Sequence, residues 1–215
     1  MRLVLFGPPG AGKGTQARRL TERLSLEQVS TGDLFRAALR DETPVGLEAK
    51  RYLDEGRLVP DAVVNKMVEG ALDALGHDDF ILDGFPRTVE QAHWLLGHLE
   101  AVNAPLDAVL SLKVEPELIV QRLSRRRTDR ETGAIYHLDF NPPPDDVPAD
   151  RLLHRTDDHP EKIRTRLKVY EDETRPLEEV FRERTRFYEI NGVGAIEEVQ
   201  ERILEAIGEA EARRV

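Results

Sequence analysis

The sequence contains no cysteine, a single tryptophan and only 6% aromatic residues in a chain of 215 residues. The absence of cysteine excludes disulfides and any metal site built on thiolates. No apolar run approaches the length of a membrane-spanning helix. The run that follows Met1 and Arg2, residues 3–6, is too short for the core of a signal peptide. We therefore expect a cytoplasmic protein that does not bind membranes.

Hydrophobic residues make up 40% of the chain and charged residues 33%, a composition typical of a globular protein with a substantial core. The formal net charge of −10 argues against binding to nucleic acid polymers. Arginines nevertheless crowd between Arg122 and Arg130. That local density favours a small anionic ligand, and the alternative is an ordinary solvated helix face.

A glycine-rich stretch directly follows the first apolar run, since residues 7–15 read Gly-Pro-Pro-Gly-Ala-Gly-Lys-Gly-Thr. A strand, a glycine loop and a helix opening at Lys13 are the context of a phosphate-binding P-loop, where backbone N–H groups, the helix dipole and the lysine attract a polyphosphate. Gly14 departs from the common pattern, because Ser or Thr usually holds Mg²⁺ there and the hydroxyl comes at Thr15 instead. The alternative is a glycine turn without a ligand, which the flanking strand and helix disfavour.

Short apolar runs alternate with segments of helical periodicity, which is typical of a mainly parallel sheet covered by helices on both faces. Ligands of such sheets bind beyond the carboxyl ends of the strands, so the P-loop and Asp83 should share one edge. The predicted strands are 2–6, 28–29, 80–82, 108–114 and 186–190. The predicted helices are 16–24, 34–39, 47–55, 62–75, 89–99, 117–127, 161–184 and 197–212.

Two stretches break this alternation. Residues 30–59 have helical character but no clear strand, and residues 128–158 read as turn, alternating strand and turn. The second stretch predicts a small antiparallel unit with Tyr136 and Phe140 packed inside it. A disordered acidic loop is the alternative.

The second informative motif is Asp83-Gly84-Phe85-Pro86-Arg87. An acidic residue at a strand end can hold Mg²⁺ through water, and an arginine can fork onto a phosphate. The motif alone could also be a structural turn, and the P-loop favours a ligand. Phosphoryl transfer needs aligned substrates and neutralised charge. Candidate arginines for that task are Arg36, Arg87, Arg126, Arg155 and Arg166.

Taken together, these motifs resemble those of the adenylate kinases with a long lid, and the resemblance is collinear from residue 1 to about residue 200. That family also has Gly-Thr after the P-loop lysine. The matching stretches are G-P-P-G-A-G-K-G-T at 7–15, S-T-G-D-L-F-R-A-A at 30–38, G-x-L-V-P-D at 56–61, D-G-F-P-R-T at 83–88, Q-A at 91–92, R-R at 126–127, Y-H-x-x-F-N-P-P at 136–143, H-R-T-D-D at 154–158 and R-x-R-L at 164–167.

The resemblance implies an α/β fold, that of the P-loop nucleoside monophosphate kinases, with a five-stranded parallel sheet flanked by helices. A core at 1–29, 60–120 and 159–215 would carry a helical monophosphate-binding insert at 30–59 and a small antiparallel β lid at 121–158. The implied reaction is ATP + AMP ⇌ 2 ADP with Mg²⁺, performed by a monomer.

The resemblance also implies which residues meet each substrate. The ATP residues would be Gly10, Ala11, Gly12, Lys13, Gly14, Thr15, Arg122, Arg126, Ile135, Tyr136 and Gly194. The AMP residues would be Thr31, Arg36, Arg57, Leu58, Val59, Gly84, Phe85, Pro86, Arg87, Gln91, Arg155 and Arg166. Catalytic roles would fall to Lys13, Arg87, Arg126, Arg155 and Arg166. Asp83 would hold Mg²⁺ through water.

Many members of that family bind a lid zinc with four cysteines, or with three and an aspartate. The nearest positions here are Asp129, Thr132, Asp145 and Pro148. Because proline cannot ligate through its side chain and no sulfur is present, we predict no structural zinc in the lid. Instead, hydrogen bonds and apolar packing would fasten it, with Asp129, Thr132 and Asp145 around Tyr136 and Phe140.

Two other functions stay open at this stage. A related kinase could prefer GTP as donor or UMP or CMP as acceptor, although Gln91 and Thr31 favour AMP. A nucleotide-dependent switch would need no phosphoryl acceptor, and arginines directed at phosphates from two inserted segments argue against it.

Overall fold

The computed structural model describes residues 1–212, and residues 213–215, the end of the predicted core segment 159–215, lie outside the described residues. Five of its strands form a parallel sheet in the order β2-β3-β1-β4-β8, and the other three form an antiparallel sheet in the order β6-β5-β7. The strands of this part of the chain are β1 Arg2–Phe6, β2 Glu27–Ser30, β3 Phe80–Asp83, β4 Ala108–Lys113, β5 Arg126–Asp129, β6 Ile135–His137, β7 Leu152–Leu153 and β8 Phe187–Asn191.

Helices connect the strands and cover the parallel sheet, which confirms the predicted fold class. They are α1 Lys13–Leu24, α2 Thr31–Arg40, α3 Pro44–Glu55, α4 Asp61–Ala74, α5 Val89–Ala101, α6 Pro116–Ser124, α7 Pro160–Val169, α8 Leu177–Arg184 and α9 Ile196–Ala212. No helix between residues 1 and 212 combines the length and the hydropathy of a bilayer-crossing segment.

The core lies on both faces of the parallel sheet. In β1, Leu3 and Leu5 pack with apolar residues of α1 and α9, whereas Val4 and Phe6 pack with those of α4, α5 and α8. All four side chains are buried. A strand covered on both faces must be apolar throughout, and this is why β1 appears in the sequence as a continuous hydrophobic run.

The carboxyl ends of three strands meet at one edge of this sheet. β1 leads directly into the P-loop, and in the register of the sheet Leu5 of β1 and Ser30 of β2 both lie beside Asp83 of β3. The predicted common edge for the P-loop and Asp83 is therefore confirmed.

The helix predicted at 117–127 is too long. α6 ends at Ser124, and Arg126–Asp129 instead forms β5, which pairs antiparallel with β6 and β7. The intrinsic propensity of the arginine run is compatible with a helix, but the pairing of Arg126–Asp129 with Ile135–His137 across the hairpin outweighs that preference.

The helix predicted at 161–184 is interrupted. α7 ends at Val169, a π-helical turn covers Tyr170–Thr174, and α8 begins at Leu177. Pro176 lacks the N–H that would continue the helix, and the N–H of Arg175 bonds five residues back to the Tyr170 carbonyl at 2.8 Å. The wider turn also places the Thr174 hydroxyl on the Arg87 carbonyl, to which it donates at 2.8 Å.

The segment predicted to form the lid, residues 121–158, is fastened differently from the prediction. Phe140 is 68% exposed and stacks on His137, and Asp145 is exposed, so neither packs around Tyr136. Asp129 does serve as an anchor, since its carboxylate accepts from the Arg151 guanidinium and from the backbone N–H of Glu131. Arg151 was missed because an arginine that follows Asp129 by 22 residues leaves no local pattern.

Loss of the Arg151 anchor should loosen the lid. Arg151 holds the pKa of Asp129 well below its ordinary range, so the carboxylate is charged and would lose its counterion in the R151M variant. We expect faster cleavage of R151M within residues 121–158 by a nonspecific protease, mapped by mass spectrometry. The exposed-site variant D145N is the control. Equal cleavage rates for R151M and D145N would contradict the assignment.

Candidate active site

The P-loop closes around its own lysine. The Lys13 ammonium donates to the backbone carbonyls of Gly7 and Pro8, each at 2.8 Å. Gly12 precedes α1 with a φ of 101°, and because glycine has no side chain, it provides no side-chain cap for the helix. The first N–H groups of α1 are therefore available to an anion, as in other phosphate-binding helix ends.

Asp83 faces the P-loop from the end of β3. Its carboxylate accepts from the Gln28 amide at 3.2 Å, and a Cβ added to Gly14 would lie only 3.3 Å from an Asp83 carboxylate oxygen. This close approach explains why glycine follows Lys13. Burial raises the pKa of Asp83 against the opposing effect of the Lys13 charge, and burial lowers the pKa of Lys13 to about 8.

The turn after Asp83 holds Arg87 in place. The Arg87 guanidinium donates to the Gly84 carbonyl at 2.6 Å, and Thr31 of α2 donates to the same oxygen at 2.8 Å. The backbone N–H of Arg87 donates to the Gln91 side-chain oxygen at 2.7 Å. Burial lowers the pKa of Arg87 to about 10, and the charge of Arg166 adds to this effect.

Two arginines of the cleft bind carboxylates of the segment between β7 and α7. Arg126 forks onto Asp158 with distances of 2.8 and 2.6 Å, and Arg166 pairs with Asp157 at 2.8 Å. The Asp158 side chain is fully buried. These two aspartates were not assigned a role from the sequence, although they lie within the H-R-T-D-D motif.

Arg155 is the most weakly compensated cation of this group. It donates to the Thr128 hydroxyl at 2.8 Å, and burial lowers its pKa to about 9, with Arg126 and Arg36 adding to the effect. Arg36, on α2, pairs with Asp33 at 2.6 Å. A buried guanidinium beside like charges favours an anionic ligand.

The cations predicted from separate motifs therefore converge. The Lys13 ammonium lies within electrostatic range of Asp83, Arg87, Arg126 and Arg166. Arg87 in turn is influenced by Arg36, so the P-loop and the α2 segment contribute to one cleft.

The segments predicted to form the lid and the monophosphate-binding insert both contact the rest of the chain. A Cβ on Gly14 would be 3.7 Å from the Ile135 side chain, and Arg18 of α1 donates to the Gly133 carbonyl. On the other side, a Cβ on Gly56, which ends α3, would be 3.2 Å from the Arg166 side chain. The cleft is thus covered from two directions.

Gln91 is oriented by a carboxylate that sequence reasoning missed. Its amide nitrogen donates to Asp61 at 2.7 Å, and Thr88 donates to the second oxygen of Asp61 at 2.9 Å. One donor and one acceptor site of the amide stay free for a ligand. Beside these residues lies a cavity of about 510 Å³ that is also lined by Leu58 and Val59.

The far ends of the predicted site are less enclosed. Arg122 donates to the Gly192 carbonyl at 3.0 Å and lies near the Ala11 carbonyl, which brings α6 to the loop that contains Gly194. Tyr136 lies on β6 near Arg151. Arg57 is 62% exposed and pairs with Glu55, so its guanidinium is not part of the buried cluster.

The remaining predicted residues lie within these elements. Gly10 has a φ of 79° and contacts α6, since a Cβ there would be 2.8 Å from the Leu123 side chain. Thr15 is in the first turn of α1. Phe85 is buried and packs edge-on against Trp94. Pro86 follows Phe85 in the turn before Arg87.

A P-loop at the edge of a parallel sheet, faced by arginines from several elements of the chain, defines a nucleotide-dependent phosphotransferase. The family model for adenylate kinase matches residues 5–186. The adenylate kinase of Salinibacter ruber is 54% identical over 207 residues, covering 96% of this chain and 98% of that protein. The chain belongs to the adenylate kinase family.

More distant relatives agree with this membership. The adenylate kinase of Clostridium botulinum strain Loch Maree is 44% identical over 216 residues, with 97% of this chain and 99% of that protein covered. That of Carboxydothermus hydrogenoformans is 44% identical over 204 residues, with 93% and 95% covered. The chain is therefore a nucleoside monophosphate kinase, a class of phosphotransferase.

The depressed pKa of Lys13 is directly measurable. In protein labelled with ¹³C at the lysine ε-carbon, the resonance assigned by its loss in K13R should titrate at about pH 8. Tripolyphosphate should raise this pKa, because an adjacent anion favours the protonated amine. A midpoint at or above the ordinary value of 10.5 in the protein alone would contradict the burial of this ammonium.

Proposed function

We propose that the protein transfers a phosphoryl group reversibly between nucleotides, ATP + AMP ⇌ 2 ADP. The single observation that carries the proposal is the convergence of Lys13, Arg87 and the lid arginines on one cleft at the carboxyl edge of the sheet. A site for two phosphate chains needs this excess of cations, and a site for one nucleotide needs fewer. Family membership supports the same reaction.

The chemistry is a displacement at the γ-phosphorus of ATP. An oxygen of the AMP phosphate forms the new bond as the bond to the β–γ bridging oxygen breaks, so that the electron pair stays on the departing ADP. The acceptor phosphate is already anionic, and no protein base has to remove a proton. The protein's contribution is alignment of the two phosphates and stabilisation of the charge that spreads over the transferred group.

Each cation has a proposed task. Lys13 leaves the carbonyls of Gly7 and Pro8 to contact the donor phosphates, while the P-loop N–H groups bind them from the other side. Arg87 holds the acceptor phosphate, and Arg126, Arg155 and Arg166 stabilise the transferred group. The carboxylates of Asp157 and Asp158 now neutralise part of this charge, and substrate phosphates would replace them as partners.

The nucleotide contacts follow the elements already described. We assign residues 10–15, Arg122, Ile135, Tyr136 and the backbone at Gly194 to ATP. Thr31, Arg36, residues 57–59, residues 84–86 and Gln91 are assigned to AMP. Since Asp61 and the Arg87 N–H fix the Gln91 amide, its free donor and acceptor can read the edge of an adenine base.

Mg²⁺ fits the donor set at the P-loop. Asp83 supplies a buried carboxylate, and Mg²⁺ is commonly held by one or two carboxylates together with water and substrate phosphates. When bound, the ion neutralises charge on the β- and γ-phosphates. Asp83 would hold it through water, with the Gln28 amide fixing the orientation of the carboxylate.

We assign the core to residues 1–29, 60–120 and 159–215, the monophosphate-binding insert to 30–59 and the lid to 121–158. The lid contacts at Gly14 and Arg18 and the insert contact at Gly56 support closure of both segments over the cleft. Closure excludes water from the transferred group. We also propose that the enzyme acts as a cytoplasmic monomer and that its lid holds no zinc.

Mixtures of defined nucleotides test the reaction. ATP, AMP and Mg²⁺ together should yield ADP. In a mixture of ATP and Mg²⁺ without AMP, ATP should be hydrolysed only slowly, because the acceptor site then lacks its phosphate. Replacing AMP by UMP, CMP or GMP, and ATP by GTP, separates this enzyme from its relatives. Rapid ADP formation without an acceptor, or equal rates with all monophosphates, would contradict the proposal.

Removal of a single cation should damage the transfer step. In R87A, kcat should fall about 10²–10³-fold, or about 2.7–4 kcal/mol, as for loss of a preorganised charge donor. K13M should show a comparable defect. The control is R40A on α2, because Arg40 is 75% exposed and pairs only with its neighbour Asp41. A coupled ADP assay measures all three, and near-normal turnover of R87A would exclude the assigned role.

A further inference from the structure

A second group of potential ligands lies outside the cleft, where α4 and α5 end. His77 directs its Nε2 to the Nε2 of His98 and to a carboxylate oxygen of Asp73, each at 3.1 Å. All three atoms lie within 4.8 Å of one another. Within residues 1–212, no other set of three or more imidazoles and carboxylates meets this condition.

The backbone brings the two histidines together. After α4, Gly76 and His77 both have positive φ, of 62° and 60°, and the His77 N–H donates to the Leu72 carbonyl at 3.0 Å. A left-handed conformation is unfavourable for a residue with a Cβ. It turns the His77 ring across the end of α4 towards α5.

The three facing atoms have more lone pairs than protons. A neutral imidazole has at most one proton on Nε2, and the His77 Nε2 faces both the His98 Nε2 and a carboxylate oxygen of Asp73. A single Nε2–H of His77 can reach both partners only as a shared, three-centre hydrogen bond. A cation that accepts a lone pair from each of the three atoms holds them together without a shared proton.

The spacing suits such a cation. Two imidazole nitrogens bound at about 2.0–2.1 Å in tetrahedral geometry lie about 3.3 Å apart, close to the observed 3.1 Å. Trp94 stacks on His98 with ring centroids 5.0 Å apart and an interplanar angle of 15°, which fixes the ring plane. Two imidazoles and one carboxylate suit Zn²⁺, Co²⁺ or Ni²⁺ better than Mg²⁺.

We propose that Asp73, His77 and His98 bind a divalent transition-metal ion, with water completing its coordination. The site would tie the end of α4 to α5 and thereby brace the segment that enters β3. It lies at the edge of the sheet opposite the P-loop, because α4 leads into the start of β3, and Asp78, next to His77, contacts the amino group of Met1. Its role is therefore structural and separate from phosphoryl transfer.

Trp94 provides a specific probe, since it is the only tryptophan of the sequence. Titration of the full chain with Co²⁺, without nucleotide or Mg²⁺, should quench Trp94 fluorescence. The quenching should saturate when one Co²⁺ ion is bound per chain. Co²⁺ and Zn²⁺ should also raise the thermal unfolding midpoint, because a ligand that binds only the native state stabilises it. Absence of saturable quenching, or binding of Co²⁺ that leaves Trp94 fluorescence unchanged, would overturn the proposal.

Matched variants locate the ion. H98Q should weaken Co²⁺ binding by about tenfold or more. H93Q replaces an exposed histidine on the same helix, and this variant should bind Co²⁺ as the parent does. H77N is a second ligand variant, since asparagine tolerates the left-handed backbone, and it should lose affinity similarly. The D129N variant tests whether Co²⁺ binds instead near Asp129, in the segment proposed as the lid.

The outcomes are distinct. Retained affinity in H98Q and H77N, or loss of affinity in D129N instead, would overturn the assignment to α4 and α5. Phosphotransfer by H98Q at the temperature where it is fully folded should equal that of the parent, so a failure of the proposed reaction would leave the metal test intact.

Discussion

Cationic groups held out of water constrain the whole active site. Burial is the main cause that lowers the pKa of Lys13, Arg87 and Arg155, and the charges of neighbouring arginines add to it. An unpaired buried charge is costly. The fold compensates by placing carboxylates such as Asp83 and Asp158 among them. Phosphates of a substrate carry more charge than these carboxylates, so the same arrangement that stabilises the chain favours binding of two anionic tails.

Backbone carbonyls give the cations their positions. Lys13 and Arg87 both donate to carbonyl oxygens of the loops that follow β1 and β3, so the parallel register of those strands sets the spacing between them. The π-helical turn after α7 contributes through Thr174, which holds the Arg87 carbonyl. An irregular turn far along the chain therefore helps to fix a residue of the cleft. Arg126 and Arg166 are held instead by pairs with Asp158 and Asp157.

Local patterns were sufficient where chemistry and backbone geometry coincide. The P-loop, the strand before it and the turn at Gly84 each depend on a few adjacent residues, and all were located from the sequence. Predictions became wrong where a distant partner decides the outcome. The strand at Arg126–Asp129 needs β6 and β7 to form. Phe140, expected inside the hairpin unit, is exposed. Arg151 has no local signature. Asp61 and Asp158 lie within matched motifs, but the motifs do not reveal their partners, because each acts through a side chain far from it in sequence.

By itself the sequence determined that the chain forms a parallel α/β fold and carries a phosphate-binding loop, because periodicity and the glycine loop are properties of neighbouring residues. The kinase class was indicated by the collinear resemblance of its motifs to those of a known family. Only the tertiary structure decided which carboxylate balances each cation, which residues fasten the lid and that two histidines meet at the end of α4. Pairings of that kind depend on the packing of whole helices and strands, and packing is a property of the folded chain rather than of any segment.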